Sequence, residues 1–147
     1  MAKAKGETMK KIPGYGLVAM LLLFSPMLVQ AEGRSSYSIA GFDDAAKVEQ
    51  FATKLQQWVA QDDKTAIAGV IRFPIKVRLT KGARTLKGKK EFLLHYPEIF
   101  NSKVKDAVLR QDRSNLFVNW QGAMFGDGEV WIRPTDDQAI QIIAINN

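Results

Sequence analysis

His95 is the one histidine of the chain, and Tyr96 follows it directly. An imidazole can shuttle a proton near neutral pH or donate from a pocket wall. A phenol can donate to a developing oxyanion. Neither completes a reaction alone. No histidine–carboxylate pairing stands out from spacing, no phosphate loop is present, and there is no cysteine to act as nucleophile or thiolate ligand. One histidine with scattered loop carboxylates gives no metal-ligand spacing. Gly126-Asp127-Gly128-Glu129 superficially suggests calcium, but a hairpin turn explains it fully. His95 therefore reads either as a pocket donor or as a helix-end histidine bonded to backbone. Tyr96 reads either as a donor or as a core or rim aromatic whose hydroxyl reaches water. No catalytic set, metal or cofactor follows from these residues.

Two other groups point to binding. Lys81, Arg84, Lys87, Lys89 and Lys90, with Lys76 and Arg78 just before them, form a basic cluster. It suits an anionic partner or, more plainly, a solvated strand face and turn. It lacks the interleaved aromatics that stack on bases, which argues against nucleic acid. Trp120, Met124 and Trp131 fall on one face of a predicted hairpin and suit the centre of an interface, or an ordinary core.

The elements that must position these groups follow from periodicity. Residues 9 to 31 (MKKIPGYGLVAMLLLFSPMLVQA) combine Lys10 and Lys11, an apolar run and Val29-Gln30-Ala31. This is the pattern of a signal peptide, covering residues 1–31, with Met9 as a compact alternative start. The expectation is a periplasmic or secreted protein, meeting the membrane only during export. The whole chain carries 21 basic and 15 acidic residues, net +6, and removing the leader lowers this to about +3. Residues 32–42 read as a flexible, polar lead-in. Residues 43–147 are the right size for a single domain.

Within that domain, Val48, Phe51, Ala52, Leu55, Trp58 and Val59 form a helical stripe that starts after Asp43 or Asp44. Asp62 is placed to cap a short second helix ending at Gly69. Val70–Phe73 and Ile75–Thr80 read as strand with Pro74 at a bend or edge, and Arg84–Leu86 pairs back. Gly88–Phe100 is helical with Pro97 discordant. Lys103–Arg110 fits strand or helix. Leu116–Arg133 predicts a long hairpin turning at Asp127-Gly128, with Phe125 facing Val130, Met124 facing Trp131 and Ala123 facing Ile132. Both of its faces are mainly apolar, so both are expected to be covered. Ala139–Asn146 supplies the last strand.

This order, with FPIKVRL after the helical pair, KKEFLLHYPEIF as third helix and FVNWQGAMFGDGEVWI as hairpin, resembles the nuclear transport factor 2-like superfamily. The resemblance implies an α+β fold: a cone with a strongly bent, mostly antiparallel sheet and helices packed on its concave side. Cone-shaped relatives such as ketosteroid isomerase and polyketide cyclases bind apolar ligands in the mouth, using a carboxylate base and hydrogen-bond donors. The resemblance offers His95, Tyr96, Asn119 and Gln121 as pocket lining. No Asp or Glu falls on an inward strand position, which argues against that enzymology. The outer sheet face of such cones commonly forms a homodimer. The expectation is a non-enzymatic binding protein, of the immunity or inhibitor kind, recognising another protein. The alternative is a small apolar ligand held in the cone by a carrier or by an isomerase- or cyclase-like enzyme.

Overall fold

A computed structural model describes residues 36–147, so the predicted signal peptide and the first residues of the lead-in lie outside the described residues. A helical turn at 36–38 is followed by α1 (Ala45–Ala60), α2 (Lys64–Gly69), β1 (Ile71–Leu79) and β2 (Gly82–Leu86). Then come α3 (Lys89–Ile99), α4 (Ser102–Arg110), β3 (Phe117–Asn119), β4 (Gly122–Phe125), β5 (Val130–Pro134) and β6 (Ile140–Asn146). The fold is α+β, with one open six-stranded sheet ordered β2-β1-β6-β5-β4-β3. Its neighbours are antiparallel except β1 and β6, which run parallel, so the sheet is mixed.

Capping chemistry sets the helix starts. Asp44 caps α1 by accepting from the Ala46 amide at 2.8 Å. The cap of α2 is Asp63, which accepts from Ala66 at 3.0 Å, and not Asp62 as the sequence suggested. Two adjacent aspartates offer the same chemistry, and the backbone leaves Asp62 at φ 54 with its carboxylate aimed elsewhere. Lys103–Arg110 is helical because Asn101 caps it, accepting from Val104 at 3.1 Å. Helix α3 continues through Pro97 to Ile99, with Pro97 exposed.

The strands differ from expectation in three places. Pro74 lies inside a single strand β1 instead of dividing two, and the β1–β6 register shifts beside it. The long first arm of the predicted hairpin is itself a hairpin, β3 turning into β4 at Trp120-Gln121, with Asn119 opposite Gly122. The Asn119 side chain closes that turn by accepting from the Gln121 amide at 2.8 Å. Finally, Trp131 pairs with Ala144 but Ile132 with Ile142, leaving Ile143 as an extra residue in β6. That bulge lets Ile142 and Ile145, three positions apart, both face the core. The expected β4–β5 pairs, 123 with 132, 124 with 131 and 125 with 130, are all present.

One sheet face is buried. Ile75, Val77, Leu86, Ala123, Phe125, Val130, Ile132, Ile142 and Ile145 share a single cluster with Val48, Leu55, Phe92, Ile99, Phe100, Val104 and Val108 of the helical segments. Tyr37, Ala40 and Phe42 join it, so the end of the polar lead-in is part of the packed domain. The other face is not covered, contrary to the expectation from its apolar residues. Lys76, Arg78 and Arg133 are exposed there, and Met124, Trp131 and Ala144 only half-buried.

Gly122 permits this layout. Its φ is 150, and a Cβ there would collide with the Ile132 carbonyl oxygen while touching the Trp131 ring. Gly122→Ala is expected to cost at least about 2 kcal/mol, since backbone must move and the conformation is one alanine avoids. Gly69→Ala, with nothing within 4 Å of the added carbon, should be neutral or stabilising. Urea melts of the two variants check the contrast.

Candidate functional site

The four residues expected to line one pocket do not converge. Tyr96 is buried on α3, stacked on Phe100 with centroids 5.5 Å apart. Its hydroxyl donates to Asp62 Oδ1 at 3.0 Å, and Lys105 Nζ donates to the same oxygen at 2.7 Å. Lys105 also lies 5.4 Å from the Tyr96 ring centroid. Asp62 thereby ties the α1–α2 turn to α3 and α4. The hydroxyl is committed to this link, so it is not aimed into a cavity. Hydrogen bonding from Lys105, then from Tyr96, holds the Asp62 carboxyl below its usual range, while burial and Asp62 push the Tyr96 phenol up.

His95 stands at the surface with Arg84 and Glu98. Arg84 Nη1 lies 2.9 Å from His95 Nδ1, and since a guanidinium can only donate, Nδ1 must be the unprotonated nitrogen. Glu98 Oε2 is 3.7 Å from both groups. His95 and Glu98 are therefore neighbours at i, i+3, but with Nδ1 accepting from Arg84 the ion pair runs between Arg84 and Glu98 and the histidine takes no part in it. Arg84 and Glu98 are exposed and His95 is partly so, so the group is a surface cluster that contributes little to stability. His95→Ala is expected to change stability by less than about 0.5 kcal/mol, checked by the same urea melts.

Asn119 is spent on its own turn, and Gln121, exposed, reaches the open sheet face. The basic cluster divides in the same way. Arg84 faces α3, Lys81 sits in the β1–β2 turn, and Lys87, Lys89 and Lys90 surround the start of α3. Lys76 and Arg78 belong instead to the open sheet face. Trp120 and Trp131 also separate: Trp120, 69% exposed, is in the β3–β4 turn, while Trp131 is on a central strand.

That open face contains a cleft that combines an aromatic with cations and no carboxylate. It has a volume of about 340 Å³ and is lined by Lys76, Arg78, Gln121, Trp131, Ile143, Ala144 and Asn146. Lys76, Ala144, Trp131 and Met124 form one row across four strands. A Cβ at Gly122 or Gly128 would fall 3.7 or 3.3 Å from the indole, so these two glycines leave it room. Asn146 Nδ2 donates to the Gly128 carbonyl at 2.6 Å and fixes the nearby turn. The six strands contain no Asp or Glu, and none of Lys76, Arg78 and Arg133 makes an ion pair among the described residues.

A second cleft, lined by Asp106, Arg110, Asp112, Asp127 and Glu129 among others, is acidic, but no group of three or more His, Asp or Glu among the described residues could hold a metal. Glu129, whose role sequence gave no hint of, is the one buried carboxylate described. It accepts from the Asp127 amide at 2.7 Å and meets Lys103 Nζ at 3.5 Å, bracing the β4–β5 turn.

Three exposed aspartates have carboxyls held below the usual range. The causes are Lys105 for Asp62, Ser114 for Asp112 and Thr135 for Asp137. A depressed folded-state pKa means the unfolded chain binds more protons in that window. Stability is then full above about pH 4 and falls as pH drops further. Acid titration by circular dichroism should show this, and Asp62→Asn should flatten the slope.

The chain matches no protein-family model, no curated protein and no solved structure.

Proposed function

We propose that this chain is an exported, non-enzymatic binding protein of nuclear transport factor 2-like architecture, which recognises another protein through its open sheet face. In this reading the sheet is bent into a cone with the helices on its concave side. The element order and the bulge at Ile143, which would sharpen sheet curvature, support that shape. The observation that carries the function is the row Lys76–Ala144–Trp131–Met124: an aromatic on a central strand, uncovered, flanked by cations without counter-charges. Trp and Arg are the side chains most enriched at binding hot spots.

The competing reading, a small-molecule or isomerase-like site inside the cone, is opposed by what fills the interior. Glu129 is the one charged or amide side chain buried among the described residues, and it serves a turn. The Tyr96 hydroxyl donates to Asp62, the Tyr37 hydroxyl accepts from the Leu116 amide, and no buried side-chain polar atom described lacks a partner. An enolate-stabilising pocket needs donors held ready for a substrate.

Self-pairing through the same face is a second occupant, favoured by Trp131, Met124 and Phe117 but opposed by bringing like cations together. Light scattering at high salt, where such repulsion is screened, tests it. The main test is capture of a partner by the immobilised full chain from periplasmic extract. Capture lost in Trp131→Ala but kept in Leu94→Ala supports the reading. Turnover of a hydrophobic carbonyl compound that disappears in Tyr96→Phe contradicts it.

A further inference from the structure

Resting on the binding role of the open sheet face, we infer that its ligand is an acidic segment of polypeptide: an apolar residue for Trp131, flanked on both sides by carboxylates. The argument is one of charge and register. On the outer face, β1 contributes Lys76 and Arg78, β5 contributes Trp131 and Arg133, and the six strands contribute no carboxylate. Lys76 and Trp131 lie in one row with Ala144 between them. At about 4.8 Å per strand the ammonium's strand is about 10 Å from the indole's. Arg133 is two residues along β5, about 7 Å away in the perpendicular direction. Cations therefore stand on two sides of a single aromatic platform floored by Ala144 and Met124. Along β6, Arg133 stands opposite Gln141, Trp131 and Lys76 opposite Ala144, and Arg78 opposite Asn146, so Arg133 and Arg78 lie toward opposite ends of the row. An extended peptide, repeating side chains on one face about every 7 Å, points carboxylates two residues on either side of an apolar residue toward both ends.

Other occupants fit less well. A second copy of this chain would meet the face with the same cations. The chain's own first 31 residues carry four lysines and one glutamate, again the wrong sign. Single-stranded nucleic acid needs a series of stacking rings along a basic groove, whereas this face has two rings, Trp131 and Phe117, in a row whose cation lies at the far end on β1.

The probe is a synthetic seven-residue peptide with central phenylalanine, glycine on either side, and paired glutamates at both ends. It is titrated against the full chain at low salt, beside the same peptide with glutamines. The glutamate peptide is expected to bind at least tenfold more tightly than the glutamine peptide. The double reversal Lys76→Glu/Arg78→Glu should weaken it at least tenfold, and Arg133→Glu should weaken it independently. Lys89→Glu/Lys90→Glu, an equal charge change at the start of α3, should weaken it less than threefold. These sites are exposed, and circular dichroism verifies that the variants fold. Equal binding of the two peptides, equal loss from the two double reversals, or tighter binding of an oligothymidylate through the same residues each overturns the inference. If the peptide fails while capture of a protein partner still depends on Trp131, the acidic ligand is wrong and the binding face stands. If capture is also independent of Trp131, the binding face itself is wrong.

Discussion

Phe92→Ala will destabilise the domain by about 3–5 kcal/mol, the range for deleting a fully buried phenylalanine ring. Phe92 is 0% exposed and packs edge-on against both Tyr96 and Phe100, at 5.8 and 6.1 Å between centroids. The three rings contact one another within the buried cluster, so deleting the Phe92 ring removes two ring contacts at once. Against typical domain stabilities of about 5–15 kcal/mol, this one change removes about a fifth or more. Phe51→Ala on α1 belongs to the same class, with the ring 8% exposed. Equilibrium urea unfolding measures both. A shift below about 1 kcal/mol at Phe92 would mean that α3 is peripheral to the core.

Trp131→Ala is the second large effect, and it falls on binding. The indole is half-buried, with Gly122 and Gly128 leaving clear the space that a Cβ would take beside it, so its loss should leave the fold intact while removing the centre of the open face. Affinity for the captured partner is expected to fall by about 2 kcal/mol or more, roughly 30-fold, as for a central aromatic hot spot. Trp120→Ala is the informative comparison. Its ring, more exposed but carried on the β3–β4 turn, should contribute like a rim residue, below about 1 kcal/mol. Isothermal titration on the two variants separates the tryptophans that sequence alone placed together.

The periodic parts of this fold were legible because local pattern decides them. Of the stripe Val48, Phe51, Ala52, Leu55, Trp58 and Val59 all are buried but Trp58, which is half-buried against the core, Asp44 caps its helix, and the turn at Gly126–Glu129 fixes the β4–β5 register. What failed was decided by single insertions or by distant partners. The turn at Trp120-Gln121 lacks the usual Asn-Gly signal at its centre, although Asn119 before it and Gly122 after it are the residues that make it possible. The bulge at Ile143 has no sequence mark in a run of isoleucines, yet it decides which of them face the core. The expected pocket dissolved for a similar reason. Tyr96 is satisfied by Asp62, 34 residues away, and Lys105, 43 residues from Asp62, completes the link. The uncovered face was visible only as a missing carboxylate: six strands with basic residues and no acid, a pattern that acquires meaning once β1, β6 and β5 are seen to be neighbours.

The open face can be tested in the cell by site-specific photo-cross-linking. A photoreactive phenylalanine analogue is placed at Gln121, on the rim of the cleft, or at Leu94, 75% exposed on α3. The account predicts a discrete adduct with a partner protein from position 121, suppressed by Lys76→Glu/Arg78→Glu, and none from position 94. An adduct from position 94 with none from position 121 would contradict it.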